Sequence, residues 1–208
     1  MKGIYILRHG HRMDHGNITE RKSVTNKYDP PLSSIGAYQA FLTGQSLYSQ
    51  ISDISNKRLL LISSPYLRCL QTTESLVQGF RESYINLYNN KVYVEDCLRE
   101  SENFPNCLTK DEDYQALTFF NENDLLFLNT EYNQFEPFSH LIRSKDGLLE
   151  TWEQGVHRLN RIIEALNSFL SIKGNEDIVP ILVTHGYFTN VIYQKYFGIS
   201  NQKNHYCA

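Results

Sequence analysis

Three short aliphatic runs, each followed by polar residues, constrain the fold of this chain most. They cover residues 2–7 (KGIYIL), 59–62 (LLLI) and 178–184 (IVPILVT). Short, nearly continuous runs of this kind are typical of parallel strands buried on both faces. A fourth run, residues 91–95 (KVYVE), alternates apolar and polar side chains and predicts a strand nearer the sheet edge.

The segments between these runs have the periodicity of helices. Thr151 and Gln154 form a capping-box pattern. One apolar helix face follows it, made of Trp152, Val156, Leu159, Ile163, Leu166 and Leu170. Residues 32–51, 65–83 and 187–197 are predicted as further helices. For residues 65–83 we expect Ser64 as the N-cap and Pro65 at the first helical position.

Alternating strands and helices predict an α/β protein, a three-layer α/β/α sandwich with a mostly parallel central sheet. The 208 residues, 41% of them hydrophobic, are enough for one domain, so we expect residues 1–208 to form it. Residues 101–148 have weak periodicity and carry nine acidic against three basic side chains. We expect an acidic insertion that folds over the active-site edge of the sheet, either as a solvated face or as a lid that repels polyanions.

Charge and hydropathy exclude several classes of protein. Lys plus Arg number 20 and Asp plus Glu 23, and this near balance argues against nucleic-acid and anionic membrane partners. No apolar stretch reaches the roughly 18 residues of a membrane span, and the first strand begins too early for a signal sequence, so we expect a cytoplasmic protein. The four cysteines have no CxxC spacing and are interpreted as reduced thiols.

Each aliphatic run ends in residues that are unusual at a buried strand end. Arg8, His9 and Arg12 follow the first run, Ser64 and Arg68 the second, and His185 the last. Ligands of parallel α/β sheets bind beyond the carboxyl ends of the strands, so these groups should converge on one pocket. Guanidinium groups match the oxygens of a phosphoryl group, and the start of the helix after Ser64 adds free N–H donors. A neutral histidine there can be a nucleophile, with a carboxyl group from residues 95–102 as its acid/base partner.

These motifs resemble one known family, the histidine phosphatase superfamily with the phosphoglycerate mutase-like fold. The resemblance spans nearly the whole chain apart from the insertion. The motifs that carry it are Arg8-His9-Gly10, Ser64-Pro65 with Arg68, Gln71-Thr72, and Thr184-His185-Gly186. Arg8-His9-Gly10-His11-Arg12-Met13-Asp14, with residues 28–33 and Gly36, is closest to the phosphatase domains of the suppressor of T-cell receptor signalling proteins.

The resemblance implies a role for each matching residue. Arg8 and Arg68 would bind phosphate, His9 would be the phosphorylated nucleophile, and His185 would stabilise the phosphoryl group. Glu100 matches the acid/base position. The glycine usually found shortly after that acid is absent, which leaves Glu102 as an alternative. Arg12 would also line the phosphate pocket, as in the subgroup named above.

Simpler interpretations stay open for several of these residues. His9 and His185 could be hydrogen-bonded structural histidines, and Arg12 could be a surface arginine paired with Asp14. The spacing of His9, His11 and His15 also permits a metal site. Arg8 and Arg12 flank those histidines and would repel a cation, so we expect no metal and no cofactor.

The sequence thus predicts a histidine acid or phosphomonoester phosphatase, a hydrolase that passes through a phosphohistidine on His9. One alternative is phosphoglycerate mutase-type phosphoryl transfer, although His11-Arg12 replaces the Glu-Ser typical of glycolytic mutases. The other is a non-catalytic interaction module that keeps the fold. Expected partners are a phosphorylated small molecule or a phosphoprotein; a homodimer is left open.

Overall fold

Five parallel strands form one sheet in the part of the chain that the structure describes. The structure is a computed structural model, and it describes residues 3–26, 29–81, 86–100, 133–134 and 151–197. The strands run in the order β1-β5-β2-β3-β4. Their bounds are β1 Tyr5–Arg8, β2 Arg58–Ser63, β3 Leu87–Val94, β4 Asn133–Gln134 and β5 Ile178–Thr184. The last long strand in the sequence therefore lies between the first two.

Helices cover both faces of this sheet. They are α1 Ile18–Ser23, α2 Ser34–Gln50, α3 Leu67–Arg81, α4 Trp152–Leu170 and α5 Gly186–Phe197. Helices α2 and α3 pack against Leu59 and Leu61 of β2, and α4 and α5 pack against Leu60 and Ile62 of the same strand. Successive side chains of a strand point to opposite faces, so β2 serves both cores. The prediction of an α/β/α sandwich with a parallel central sheet is confirmed.

Helix α4 confirms the capping box that its sequence predicted. The Thr151 hydroxyl accepts from the Gln154 N–H, and the Gln154 side chain accepts from the Thr151 N–H. Leu159, Ile162 and Leu166 form the buried face, whereas Trp152 is 38% exposed. The buried face is therefore turned slightly from the predicted one.

Helix α3 begins later than expected, and its first N–H groups have a different partner. The helix starts at Leu67 rather than Pro65, and the Leu67 N–H donates to the carboxylate of Asp29 at 2.8 Å. The hydroxyl of Ser64 binds His185 instead. The local Ser-Pro pattern was misleading because a carboxylate from a distant segment satisfies the start of the helix.

Two further features differ from the sequence predictions. Strand β3 begins at Leu87, four residues before the expected strand, and Asn89 in it has a φ of 54° where the pairing register shifts. Asparagine tolerates this left-handed conformation better than most residues. Helix α1 was not predicted; Asn17 and Glu20 cap it, and Glu20 also accepts from the Ser34 N–H.

The acidic segment 101–148 lies outside the described residues, apart from Asn133–Gln134. Those two residues form β4, which pairs with Tyr93 and Val94 of β3 at one edge of the sheet. The organisation of the whole chain as one domain with a lid-like insertion stays a prediction.

Candidate active site

The order of the strands brings three polar strand ends to one place. Arg8 pairs with Thr184, and Ser63 pairs with Val183. The His9 N–H donates to the Thr184 carbonyl at 2.9 Å. The Ser64 N–H donates to the Val183 carbonyl, also at 2.9 Å. The residues that follow β1, β2 and β5 are therefore neighbours at the carboxyl edge of the sheet.

His9 is held in one tautomer. Its Nδ1 lies 2.8 Å from the Gly10 carbonyl oxygen, which can only accept, so Nδ1 carries the proton. Burial, followed by the positive charge of Arg68, lowers the pKa of His9 well below its usual value. A neutral ring with its proton on Nδ1 has a free electron pair on Nε2. His9 thus has the form of a nucleophile.

His185 is held in the opposite tautomer. Arg68 Nη2, which can only donate, lies 3.0 Å from the His185 Nδ1. Nε2 must then carry the proton, and it donates to the Ser64 hydroxyl at 2.8 Å. The ring is fully buried and its centroid is 5.4 Å from that of His9. Burial, followed by Arg68, lowers the pKa of His185 as well, so both rings are neutral near pH 7.

Arg68 is fixed by Asp29, and both side chains are buried. The guanidinium donates from Nη1 to the Asp29 carboxylate at 3.1 Å and stacks 4.4 Å above the Tyr66 ring. Burial raises the pKa of Asp29, and the charge of Arg68 opposes that rise. The buried Nε of Arg68 makes no hydrogen bond to the described residues.

Arg8 and Arg12 reach the same region from the first motif. A methyl group on Gly186 would lie 3.3 Å from the Nε of Arg8, so this guanidinium packs directly over the glycine. Arg12 forms two hydrogen bonds with Asp14, at 2.9 and 2.5 Å. The pairing anticipated as the simpler interpretation of Arg12 is therefore present. The charge of Arg12 also contributes to lowering the pKa of His9, so the side chain acts on the site as well.

Two glycines allow the loop after β1 to lie against helix α2. A Cβ on Gly10 would lie 2.4 Å from the Gly36 carbonyl, and one on Gly36 would lie 2.1 Å from the His11 carbonyl. The loop is also held by Thr72, whose hydroxyl accepts from the Gly10 N–H at 3.0 Å. Backbone contact this close requires glycine at both positions.

Glu100 lies beside His185. One of its carboxylate oxygens is 3.8 Å from the His185 Nδ1, and the side chain is 16% exposed. It follows a short 3₁₀ turn, Asp96–Leu98, directly after β3. Glu102, the alternative acid/base residue, lies outside the described residues.

Residues 4–104 match the family model of the histidine phosphatase superfamily, branch 1. These residues belong to that superfamily. The match contains Arg8, His9 and Arg68, which help to carry the sequence resemblance, and Glu100, to which the resemblance gives the acid/base role. It ends before His185, which the fold brings back to the same site.

Solved structures with the same fold include phosphatases. The ecdysone phosphate phosphatase of Bombix mori, solved with tungstate, has a TM-score of 0.57 and 18% identity, covering 98% of this chain and 82% of that one. YhfR of Bacillus stearothermophilus has a TM-score of 0.51 and 18% identity over 95% of this chain and 80% of its own. The native mycobacterial glucosyl-3-phosphoglycerate phosphatase has a TM-score of 0.50 and 16% identity, with coverages of 95% and 80%. The comparison with curated proteins gives no significant match.

One thiol lies inside this candidate site. Cys69 Sγ is 3.5 Å from the His185 Nε2 and donates to the Thr184 carbonyl. Burial raises the pKa of Cys69, so the sulfur stays protonated and is no rival nucleophile. Within the described ranges, no three His, Cys, Asp or Glu side chains are grouped to hold a metal ion. None of the described helices has the length and apolar character to cross a membrane.

Sequence reasoning missed several residues that shape this candidate site. The sequence gives Asp29 only as part of the motif at residues 28–33, and nothing in its spacing connects it to Arg68, which is 39 residues later. For Ser64 the sequence predicts a helix cap. Arg158, which donates to the Cys97 and Arg99 carbonyls just before Glu100, is not singled out by the sequence, although an arginine beside the buried face of an amphipathic helix is a usable signal.

Proposed function

We propose that this protein is a phosphatase that hydrolyses phosphate monoesters through a phosphohistidine on Nε2 of His9. The observation that carries the proposal is the state of His9. Its proton is held on Nδ1 by the Gly10 carbonyl, and its pKa is lowered by burial and by Arg68, so the free electron pair is on Nε2. A neutral imidazole of this kind can attack phosphorus at ordinary pH.

In the first step His9 Nε2 forms a bond to phosphorus, and the bond from phosphorus to the ester oxygen breaks. The departing oxygen takes the electron pair of that bond and a proton from the Glu100 carboxyl group. Arg8, Arg68 and Arg12 offset the charge on the phosphoryl oxygens. Removing one such donor costs about 3 kcal/mol of transition-state stabilisation, by analogy with oxyanion holes.

In the second step a water molecule attacks the phosphohistidine. Glu100, now ionised, takes a proton from that water, and the bond between nitrogen and phosphorus breaks. Inorganic phosphate leaves and His9 returns to its starting tautomer. The neutral His185, which donates to Ser64 and accepts from Arg68, is suited to keep Arg68 in place through both steps.

The substrates proposed are phosphorylated small molecules or phosphoproteins, and the proposed location is the cytoplasm. Three arginines gathered around two histidines suit a compact phosphate group. The Bombix mori protein of similar fold is a phosphatase, which supports hydrolysis as an outcome this fold can deliver. A homodimer is compatible with this proposal.

The test measures hydrolysis of p-nitrophenyl phosphate in the presence of EDTA. We expect turnover by the wild type, at least about 1000-fold less by His9→Ala, and acid-labile phosphate on His9 after a rapid quench. His157→Ala, which removes an exposed histidine of α4, is the matched control and should retain wild-type activity. If the wild type is as inert as His9→Ala on a broad panel of esters yet binds phosphate, the protein is a non-catalytic interaction module and the phosphatase proposal is wrong. If the wild type, given a bisphosphorylated primer, isomerises 3-phosphoglycerate faster than it hydrolyses this ester, the protein is a mutase instead of a phosphatase.

A further inference from the structure

The turn that precedes Glu100 is held by side chains from two other elements. Three successive carbonyl groups in it each accept a hydrogen bond. Arg158 Nη1 donates to Cys97 at 2.5 Å and to Arg99 at 3.1 Å. The Thr184 hydroxyl donates to Leu98 at 2.7 Å. These bonds tie the turn to α4 on one side and to β5 on the other.

The position of Arg158 is itself set by helix packing. The residue lies on α4 next to Leu159, which is buried in the core under the sheet. Its guanidinium lies 4.7 Å above the ring of Phe188, a fully buried residue of α5. The planar group therefore cannot move without disturbing the contact between α4 and α5. Arg158 brings a rigid donor to a turn that has little regular structure of its own.

The carbonyl of Arg99 belongs to the peptide unit that joins Arg99 to Glu100. A donor that fixes this carbonyl fixes the plane of that peptide unit, and with it the direction in which the Glu100 side chain leaves the backbone. Positioned acids are sensitive to such control, because an error of about 1 Å can cost about 100-fold in rate. The bond to Cys97 adds a second anchor two residues earlier.

We propose that Arg158 is a positioning residue that aims the Glu100 carboxyl group at the oxygen it protonates. The inference rests on the proposed function, since it assumes that Glu100 is the acid/base residue. It assigns a part in the reaction to a side chain outside residues 4–104. In the sequence, Arg158 follows the acidic segment 101–148, whereas Glu100 precedes it. The proposed effect on Glu100 runs through the backbone on either side of Leu98, and the charge of Arg158 also helps to lower the pKa of His185.

The test compares two aryl phosphates whose leaving groups differ in their need for a proton. Phenolate is a poor leaving group and requires the acid, whereas dinitrophenolate leaves without it. The ratio kcat/KM reports the steps up to departure of the leaving group, so it isolates the acid role of Glu100. We expect Arg158→Gln to lower kcat/KM for phenyl phosphate about 30-fold and for 2,4-dinitrophenyl phosphate less than about 3-fold.

Matched variants separate positioning from general damage. Arg161→Gln removes an exposed arginine one turn further along α4 and should match the wild type on both substrates. Arg158→Lys keeps a charged donor and should give a smaller loss with the same selectivity for phenyl phosphate. Inorganic phosphate should bind Arg158→Gln as it binds the wild type, since Arg8, Arg68 and His9 are untouched.

Glu100→Gln serves as the reference for a lost acid. Suppose that Glu100→Gln lowers kcat/KM for phenyl phosphate far more than for 2,4-dinitrophenyl phosphate, but neither Arg158 variant does. The Arg158 variants would then either match the wild type or lose both activities equally together with phosphate binding. Either result shows that the positioning role is wrong, while the proposed phosphatase stands. If the wild type hydrolyses neither substrate, the proposed function fails and takes this inference with it. Selective loss in Arg158→Gln, with Arg158→Lys in between, supports the inference.

Discussion

Asp29 and Arg68 form a buried ion pair in which the carboxylate oxygen and the guanidinium nitrogen are 3.1 Å apart. The same carboxylate also accepts from the Leu67 N–H, so one acid fixes both the start of α3 and the arginine on it that we propose to bind phosphate. Arg68 in turn donates to His185. A chain of contacts thus runs from Asp29 to the second histidine.

Replacing Asp29 by Asn should therefore damage stability and activity together. Removing one partner of a buried pair leaves the other charge uncompensated, which typically costs about 3 to 5 kcal/mol. Urea denaturation would measure the loss, and added phosphate should restore part of it by supplying a negative charge next to Arg68. Asp177→Asn is the control, because it breaks a partly exposed pair with Arg58 and should cost less than about 1 kcal/mol. Equal losses in the two variants would contradict the assigned role of Asp29.

The lowered pKa of His9 predicts activity at acid pH. An ordinary histidine is protonated below about 6.5, but burial and Arg68 keep His9 neutral below that value. The nucleophile should therefore remain competent as the pH falls through 6.5. Nitrogen-15 NMR of labelled protein, with His9→Gln to assign the signal, would follow the ring directly. A midpoint at or above 6.5 would contradict the prediction.

The lowered pKa values of His9 and His185 also make the free energy of unfolding depend on pH, which urea denaturation at several pH values would measure. The unfolded chain takes up protons on His9 and His185 below about pH 6.5, while the folded chain excludes them. These two groups therefore leave stability unchanged above that pH and lower it as the pH falls further.

Ser64→Ala should destabilise His185 without changing any charge. The variant leaves the buried Nε2–H of His185 without its acceptor, at a cost of about 1 to 3 kcal/mol. The ring then loses the bond that holds its Nε2 edge in place, so we expect kcat to fall together with stability. Ser49→Ala removes an exposed hydroxyl from α2 and is expected to be neutral on both measurements. Wild-type kcat in Ser64→Ala would show that this bond has no part in the reaction.

Gly36→Ala should displace the loop that carries His9. The added methyl group would lie 2.1 Å from the His11 carbonyl, a backbone atom that cannot move without the loop. We expect kcat/KM to fall by more than about 10-fold, in keeping with the sensitivity of reacting groups to misplacement. Gly3→Ala adds a methyl group where no atom lies within 4 Å and should leave the kinetics unchanged.

The sheet could be predicted from the sequence because its information is local. The run that ends at Thr184 predicted β5 to the residue, and the Thr151 capping box predicted the start of α4. Parallel strands buried on both faces must be apolar throughout, and a capping box needs only four neighbouring residues. Features that depend on a few neighbouring residues could therefore be predicted from the sequence.

The supports of the site could not be predicted because they depend on distant partners. Ser64 has the sequence of a helix cap, yet it binds a histidine 121 residues later. Asp29 and Arg158 reach their partners across 39 and 61 residues. No local pattern carries such pairings, and only the folded sheet brings them together. The residues proposed to react were suggested by motif resemblance, whereas those that hold them required the structure.

The central place of β5 has a consequence for the order in which the molecule is made. Strand β1 has β5 as its neighbour in the sheet, and β5 also separates it from β2. A nascent chain that has emerged only as far as α4 has the residues of β1 and β2 but not the strand that joins them. His9 and Ser64 become neighbours only after Ile178–Thr184 has left the ribosome and inserted between two older strands. Long-range parallel pairing of this kind is slow to form, so the proposed reactive centre is assembled only after β5 has been made.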